Sequence, residues 1–512
     1  KINSIPQFFK KQRSLWICSR LPIVQKVSWI CFRERTYTND IHSVLSIQDV
    51  LPAAQLEQMV ADYTKKEQTL AAMQQAANII TKYLRSKGYP LAQAYIPAQN
   101  IEGGVVEVAV LIGRIGEIVI KNTSSIQDAA IRKQLIALQP GGYITQAKLE
   151  RAALMANELS GVDAKLTLTP GKTTGLTDVI LTVQPKGSKI SGSASVNNWG
   201  NRYTGSWQWG TSIKLSNLSQ SGDNASLYLT TAGKGLLSGN LFYQIPVMEG
   251  GKLNLGYSRM RYELSNNPDF DPATDYGDAN TVHADFTYMI SRSRASNLNL
   301  IIGYDNKRLQ DYFKGNITNK KSRMYSVGIS GDSNDAWGGG GATAYGITHY
   351  QGRLAGESSE TTIENLGNWH KTSYSLMRMQ NVTDNVSLFV ALSGQKAGNN
   401  LDSSEHFSLG GATGVRAYPI NEASGDEGWL LNTELRWLLP KKIGRGSVQL
   451  VAFYDTGTSQ INKYQNPQDI SSNRRSLSGA GLGINYTVPS DYYIKAHYAW
   501  KTGSEAAKSD TD

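Results

Sequence analysis

Hydrophobic and polar positions recur with two different periods along this chain. Between residues 43 and 184 the spacing is mostly helical. Leu56, Met59, Val60 and Tyr63 share one helix face. Met73, Ala76, Ala77, Ile80 and Leu84 share another, with Gly88 placed to end that helix. Extended pieces follow at 94–96 and 105–112, the second setting Val106, Val108, Val110 and Ile112 on one face. The order then repeats. A short strand at 117–120 precedes a helix over 125–138, with Ile131, Leu135 and Leu138 inward. A second helix over 146–159 has Thr145 as its N-cap and Gly161 beyond its end. Strands at 164–169 and 177–183 form a hairpin around Gly171 and Gly175. The pattern strand, helix, helix, strand, strand occurs once in full, and once before it without a clear first strand. It predicts two copies of a small α+β module of roughly 70 to 75 residues.

From about residue 188 the helical period disappears. Alternating segments of about ten residues take over, separated by turn residues, as a transmembrane barrel requires. They run 188–197, 203–215, 223–233, 237–246, 251–263, 280–292, 296–309, 322–334, 341–354, 370–381, 385–396, 428–438, 447–459, 476–487 and 491–502. Val448, Leu450, Ala452 and Tyr454 point one way; Ser447, Gln449, Phe453, Asp455 and Gly457 point the other. Tyr492, Ile494, Ala496, Tyr498 and Trp500 likewise oppose Tyr493, Lys495, His497 and Lys501. A soluble sandwich alternates too, but a lipid-facing side beside a wet one is what a barrel wall needs. No run of about 20 apolar residues exists for a membrane helix. The nearest, 16–32, is broken by Arg20, Gln25 and Lys26. A membrane reading therefore requires a closed sheet. Bacterial single-chain barrels have an even number of strands. A sixteenth strand is accordingly expected beyond Asp512, and a secretory leader ahead of Lys1.

Composition sharpens this picture. There are 26 Tyr and 10 Trp against 10 Phe, rings with a polar tip that suit a membrane–water boundary, and 49 Gly. The net charge of +10 is uneven. Residues 1–40 hold eight Lys or Arg against Glu34 and Asp40. The rest is only mildly basic, so nucleic acid is not an expected partner. Both cysteines, Cys18 and Cys31, lie in this basic arm, as a disulfide or as two free thiols. His42, His283, His349, His370, His406 and His497 form no close metal-ligand pair. Gly171-Lys172-Thr173 lacks the earlier glycine of a phosphate loop, having Leu166 there, and reads as a hairpin turn. Gly479, Gly481 and Gly483 alternate on a strand and thin its lumenal side. No catalytic residues, cofactor or metal are nominated.

The longest connection, 397–427, contains Leu409-Gly410-Gly411-Ala412-Thr413-Gly414-Val415-Arg416-Ala417-Tyr418. Gly428-Trp429-Leu430-Leu431-Asn432-Thr433-Glu434-Leu435-Arg436 follows, then Phe453-Tyr454-Asp455-Thr456-Gly457. Phe453, Asp455 and Gly457 share the lumenal parity of Gln449. An arginine on a loop that folds into the pore can grip a lumenal carboxylate with two parallel hydrogen bonds. We therefore expect a salt bridge between Arg416 and Asp455, with Gly457 leaving room and Phe453 and Tyr418 packing around it.

These residues resemble the outer-membrane transporter of two-partner secretion systems, which exports hemolysin-like and hemagglutinin-like proteins. Val415, Arg416 and Tyr418 match that family's Val-Arg-Gly-Tyr loop motif, and Phe453, Asp455 and Gly457 its Phe-x-Asp-x-Gly strand motif. The run from Asn198 to Gly205 is similar to the family's barrel entrance. Ala417 stands where the family usually has Gly, and would be strained if the loop tip required positive φ. The resemblance implies α+β POTRA domains followed by a transmembrane antiparallel β-barrel of 16 strands, of which 15 are visible here. The implied layout is a basic arm over 1–42, POTRA-like domains over 43–116 and 117–186, and an outer-membrane barrel over 187–512. It implies periplasmic modules that capture an unfolded exoprotein of hemolysin, hemagglutinin or adhesin type. The other implied partners are outer-membrane lipids and, during biogenesis, the barrel assembly machinery. Rival readings are a barrel assembly and insertion factor, or a plain porin.

Overall fold

The computed structural model describes residues 15–20, 29–34, 53–63, 69–100, 105–264, 270–359 and 363–510. Two compact units emerge. One holds most of residues 1–185, and the other holds 186–512 together with 125–130 and 158–161.

The first unit contains β1 (Leu15–Arg20), β2 (Trp29–Glu34), α1 (Ala53–Val60), α2 (Leu70–Ser86), β3 (Gln93–Tyr95) and β4 (Val105–Leu111). It continues with β5 (Arg114–Asn122), α3 (Asp128–Lys133), α4 (Gln146–Asn157), β6 (Val162–Pro170) and β7 (Leu176–Pro185). The sheet orders are β1-β2-β4-β3 and β5-β7-β6. In each, the module's first strand lies parallel to its last: β2 to β4 and β5 to β7. The first strand that the sequence pattern left unassigned is thus β2, which lies inside the basic arm. Six residues flanked by charge, without turn signals, give little period to read. The side chains of Cys18 and Cys31 lie outside the described residues.

Helix ends follow their local chemistry. Thr69 caps α2 by accepting from the Ala72 N–H at 3.2 Å, and Gly88 ends it at φ +90°. Thr145 Oγ1 accepts from the Lys148 N–H at 3.3 Å at the start of α4. The helix expected over 125–138 is shorter: α3 spans six residues. Tighter turns continue it, with Gln134 N–H donating to Ile131 O and Leu138 N–H to Leu135 O, both at 2.9 Å. These turns preserve the spacing, so Ile131, Leu135 and Leu138 are all buried. Val106, Val108, Val110 and Ile112 are buried as their alternation requires.

The second unit is one antiparallel sheet of fifteen strands, each paired with its neighbours in chain order. β8 (Ile190–Asn197), β9 (Gln208–Ser216), β10 (Asn224–Thr231), β11 (Leu236–Met248) and β12 (Gly251–Glu263) come first. β13 (Tyr276–Arg292), β14 (Ser296–Phe313), β15 (Asn316–Asp335) and β16 (Gly341–Ser358) are the longest. β17 (Gly367–Asn381), β18 (Val386–Ala397), β19 (Glu427–Leu438), β20 (Ser447–Gln460), β21 (Arg474–Val488) and β22 (Tyr492–Lys501) complete it. Every segment read from the alternation contains a strand, but the one expected over 203–215 begins only at Gln208, because a turn closed by the Gly205 N–H on Asn201 O occupies its start. The longest connections, 264–275, 398–426 and 461–473, all lie at one end, and at the other none exceeds 439–446, although 314–315 at the first end is also tight. Long loops mark the cell exterior. At 17 to 20 residues, β13 to β16 exceed the ~9–11 needed to cross a bilayer.

The two faces separate as expected on β20. Leu450 and Tyr454 are exposed on the outer face, while Val451, Phe453, Asp455, Gly457 and Ser459 are buried on the inner one. Val448, expected to face lipid, is buried instead. It sits opposite Tyr486, whose hydroxyl donates to Ile443 O at 2.9 Å, so that ring and turn cover it. The edges β8 and β22 are tied beyond their ends. Arg202 Nε lies 3.2 Å from Asp510, and the Tyr203 hydroxyl donates to Ser509 O at 3.3 Å.

Candidate functional site

The connection between β18 and β19 folds against the inner face of the sheet. Its tip is built around a small core of Leu409, Val415, Tyr418, Leu430 and Leu477, all buried. Val415 N–H donates to Leu409 O at 2.7 Å and Tyr418 N–H to Val415 O at 3.0 Å, so the tip is a tight double turn. That turn aims Arg416 at the wall.

Arg416 Nε donates to Asp455 Oδ2 at 2.8 Å, and Nη2 to Asp455 Oδ1 at 2.7 Å. Its backbone N–H also reaches Asp455 Oδ2, at 3.1 Å. Nη1 donates to Glu434 Oε1 at 2.7 Å. The Arg416 and Asp455 side chains are 8% and 0% exposed. Two carboxylates on neighbouring strands thus share one buried guanidinium. Arg436 completes the compensation from β19, with Nη2 2.6 Å from Glu434 Oε2. Asn432 Nδ2 donates to both Asp455 Oδ1 and Gly414 O, bridging wall and loop. The Phe453 ring lies 3.5 Å beneath the Arg416 guanidinium and stacks on His497.

The glycines of this sector are matched to what approaches them. A Cβ on Gly457 would lie 2.8 Å from Leu409 Cδ2 and 2.5 Å from Trp429 O. One on Gly479 would lie 2.6 Å from Ala417 Cβ, one on Gly481 2.1 Å from Phe453 Cζ, and one on Gly483 2.2 Å from His497 Cδ2. Ala417 itself is absent from the positive-φ positions among the described residues; in this loop Gly411, Asn421 and Ala423 take them, at 116°, 63° and 53°.

The structure therefore brings Val415, Arg416, Tyr418, Phe453, Asp455 and Gly457 to one place. Sequence reasoning gave no role to Glu434, Asn432 or His497. Alternate spacing of Asn432, Glu434 and Arg436 on an inward face was the available signal.

Two further anchors hold the loop. At its start, Glu405 meets Lys307 at 2.6 Å and Lys371 at 3.0 Å, and Asp402 meets Lys320 at 2.8 Å. Here the loop supplies carboxylates and the wall supplies cations, the reverse of Arg416–Asp455. Burial pushes the Asp402 carboxyl up, but Lys320 and the Ser404 hydrogen bonds outweigh it and hold it below the ordinary value. At the loop's far end, Glu422 accepts from the backbone N–H groups of Lys508 and Ser509 and pairs with Arg475 at 2.9 Å. Burial pushes the Glu422 carboxyl up too; the Ser509, Lys508 and Arg475 hydrogen bonds again win, so it is lowered. The Tyr418 hydroxyl donates to Glu505 O at 2.8 Å and Ala507 packs on the tip's core, so residues 505–509 hold the loop.

Residues 175–486 match the family described as haemolysin secretion/activation protein ShlB/FhaC/HecB. The chain belongs to this family. Residues 41–113 match the ShlB-type POTRA domain. The heme/hemopexin transporter protein HuxB of Haemophilus influenzae is 27% identical over 459 residues, covering 87% of this chain and 80% of that one. The outer membrane transporter CdiB of Dickeya dadantii is 24% identical over 443 residues, covering 83% and 76%. In fold, CdiB from Escherichia coli superposes with a TM-score of 0.73 at 20% identity, over 95% of this chain and 87% of that one. This ShlB/FhaC/HecB member is an outer-membrane transporter of the two-partner secretion type, with its POTRA domain in the periplasm.

Proposed function

We propose that this chain exports one large exoprotein of hemolysin, hemagglutinin or adhesin type, unfolded, through the lumen of its sheet. The modules, over 43–116 with strand β2 added from the arm and over 117–186, act as two POTRA-like receptors. Among the described residues, β3 and β6 are sheet edges, and an extended chain satisfies such an edge with backbone hydrogen bonds. The loop carrying Arg416 is the lock. The observation that carries this reading is the buried Arg416–Asp455–Glu434 cluster, which fixes a loop inside a wall otherwise free to be wet. A passive diffusion pore has no use for it. The chain works as a conduit and not as an enzyme, needs no cofactor, and meets lipid, the barrel assembly machinery and its cargo, not nucleic acid.

The test is surface exposure of the cognate exoprotein in cells with and without this chain, and with residues 43–184 deleted. Export is expected only from the full chain. Undiminished export after the deletion, with the sheet still folded, would favour a plain porin. Pull-down of barrel precursors in place of a secreted protein would favour an assembly factor.

A further inference from the structure

The outer face of β12 to β16 carries a cationic patch that export does not use. Residues opposite one another in an antiparallel pair share a face, and neighbours along a strand point to opposite faces. Lys307 and Lys320 turn inward to the loop, so Arg308 and Lys321, opposite each other, face outward. Arg323 and Arg353 are likewise opposite each other, beside the inward-facing, buried Ser322 and Leu354. Arg259 joins them through the register Arg259–Asn280–Arg308. Among the described residues, Arg308, Lys321, Arg323 and Arg353 have no carboxylate partner. Arg259 has only Asp278, at 3.7 Å.

The patch has a defined height. Tyr304 and Tyr325 pack with ring centroids 5.1 Å apart on this same outer face, and Tyr325 is 66% exposed. Toward the short-turn end the outer face becomes apolar, with Ile302, Val327, Ile329 and Ile347 exposed. Toward the long-loop end come Arg323 and then Lys321, two and four residues from Tyr325. On strands tilted about 40° these steps rise about 5 and 10 Å above the tyrosine pair. A tyrosine pair between an apolar band and a charged one marks the bilayer boundary. The cations therefore lie at headgroup level on the exterior side.

Arg308 and Lys321 also line a hollow of about 560 Å³ with Asp278, Asn280, Gln310 and Glu357. Asp278 Oδ1 is buried there and makes no hydrogen bond within the chain, the Arg259 guanidinium lying 3.7 Å away. Cations at the rim suit phosphate; carboxylates and amides beside them suit sugar hydroxyls. We propose that this face binds a phosphorylated glycolipid of the outer leaflet, with Arg308, Lys321, Arg323 and Arg353 on its phosphates and the hollow on its sugar. Basic clusters at a membrane surface gain attraction to anionic headgroups with each added cation. The inference rests on the outer-membrane location and not on the export route, so lipid binding and export fail separately.

Native mass spectrometry of the purified full chain in detergent tests it, with bisphosphorylated lipid A and its dephosphorylated form as probes. The bisphosphorylated form is expected to bind at least tenfold more tightly. Equal binding of the two would overturn the proposal without any variant. The combined Arg308→Gln, Lys321→Gln, Arg323→Gln and Arg353→Gln variant is expected to lose at least tenfold in that affinity, whereas Lys441→Gln with Lys442→Gln at the short-turn end keeps it. Unchanged binding by the fourfold variant contradicts the site. Displacement of the lipid by excess inorganic phosphate, or by an acidic peptide, would reassign the patch to free anions or to a protein partner and overturn it too.

Discussion

Arg416 shares one guanidinium between Asp455 and Glu434, and that sharing sets what substitution does. Breaking a buried pair from one side leaves an uncompensated charge, at about 3–5 kcal/mol. Arg416→Ala strands two carboxylates and is expected to lower the unfolding midpoint of the detergent-solubilised protein more than Asp455→Asn, which leaves Glu434 in place. Arg416→Lys keeps the charge but not the fork, so an intermediate loss is expected in the same measurement. The glycine row gives a second residue-scale prediction. Gly479→Ala sets two methyl groups against each other, an overpacking of about 1–3 kcal/mol, and Ala417→Gly should restore most of the loss. An unfolding midpoint that Ala417→Gly leaves unchanged in the Gly479→Ala background contradicts that contact. Ala417 was legible as a departure from the family's glycine, but the reason it is tolerated was not. Which residue of a turn takes positive φ depends on how the tip folds, and here that falls to Gly411, Asn421 and Ala423. The spacing of Gly479, Gly481 and Gly483 was visible in sequence; the Ala417, Phe453 and His497 groups that fill their space come from other segments.

At the scale of elements, the loop is held by anchors of opposite polarity, and two of its own carboxylates make the holding pH-dependent. Glu422 and Asp402 both have folded values below the ordinary ones. A lowered carboxyl contributes stability that is full above its unfolded value, about 4.3 for Glu and 3.9 for Asp, and is lost as pH falls through the lower folded value. The loop is therefore expected to stay anchored at pH 5 and to loosen only well into the acid range. Limited proteolysis between 398 and 426 over a pH series checks this; cleavage that rises already between pH 7 and 5 would contradict it. All fifteen strands were legible because a period of two with one lipid face leaves little freedom of register. The anchors were not. Lys307 and Glu405 are 98 positions apart, and only the curl of the sheet brings them together. Strand β2 was missed because a short strand completing a sheet from a distant segment carries no local signature.

For the whole molecule, the sheet is the frame and the loop is held against its inner face by buried charge. Freeing the loop should open the lumen to ions. Arg416→Asp is expected to raise single-channel conductance in planar bilayers above that of the unmodified chain, and unchanged conductance would mean that the loop is not the obstruction. The most direct test is charge exchange across the contact itself, read as the amount of cognate exoprotein reaching the surface of intact cells. Arg416→Asp and Asp455→Arg should each depress it strongly, and the two together should recover a clear part of it. Recovery no greater than either single change allows would contradict a lock made by that pair.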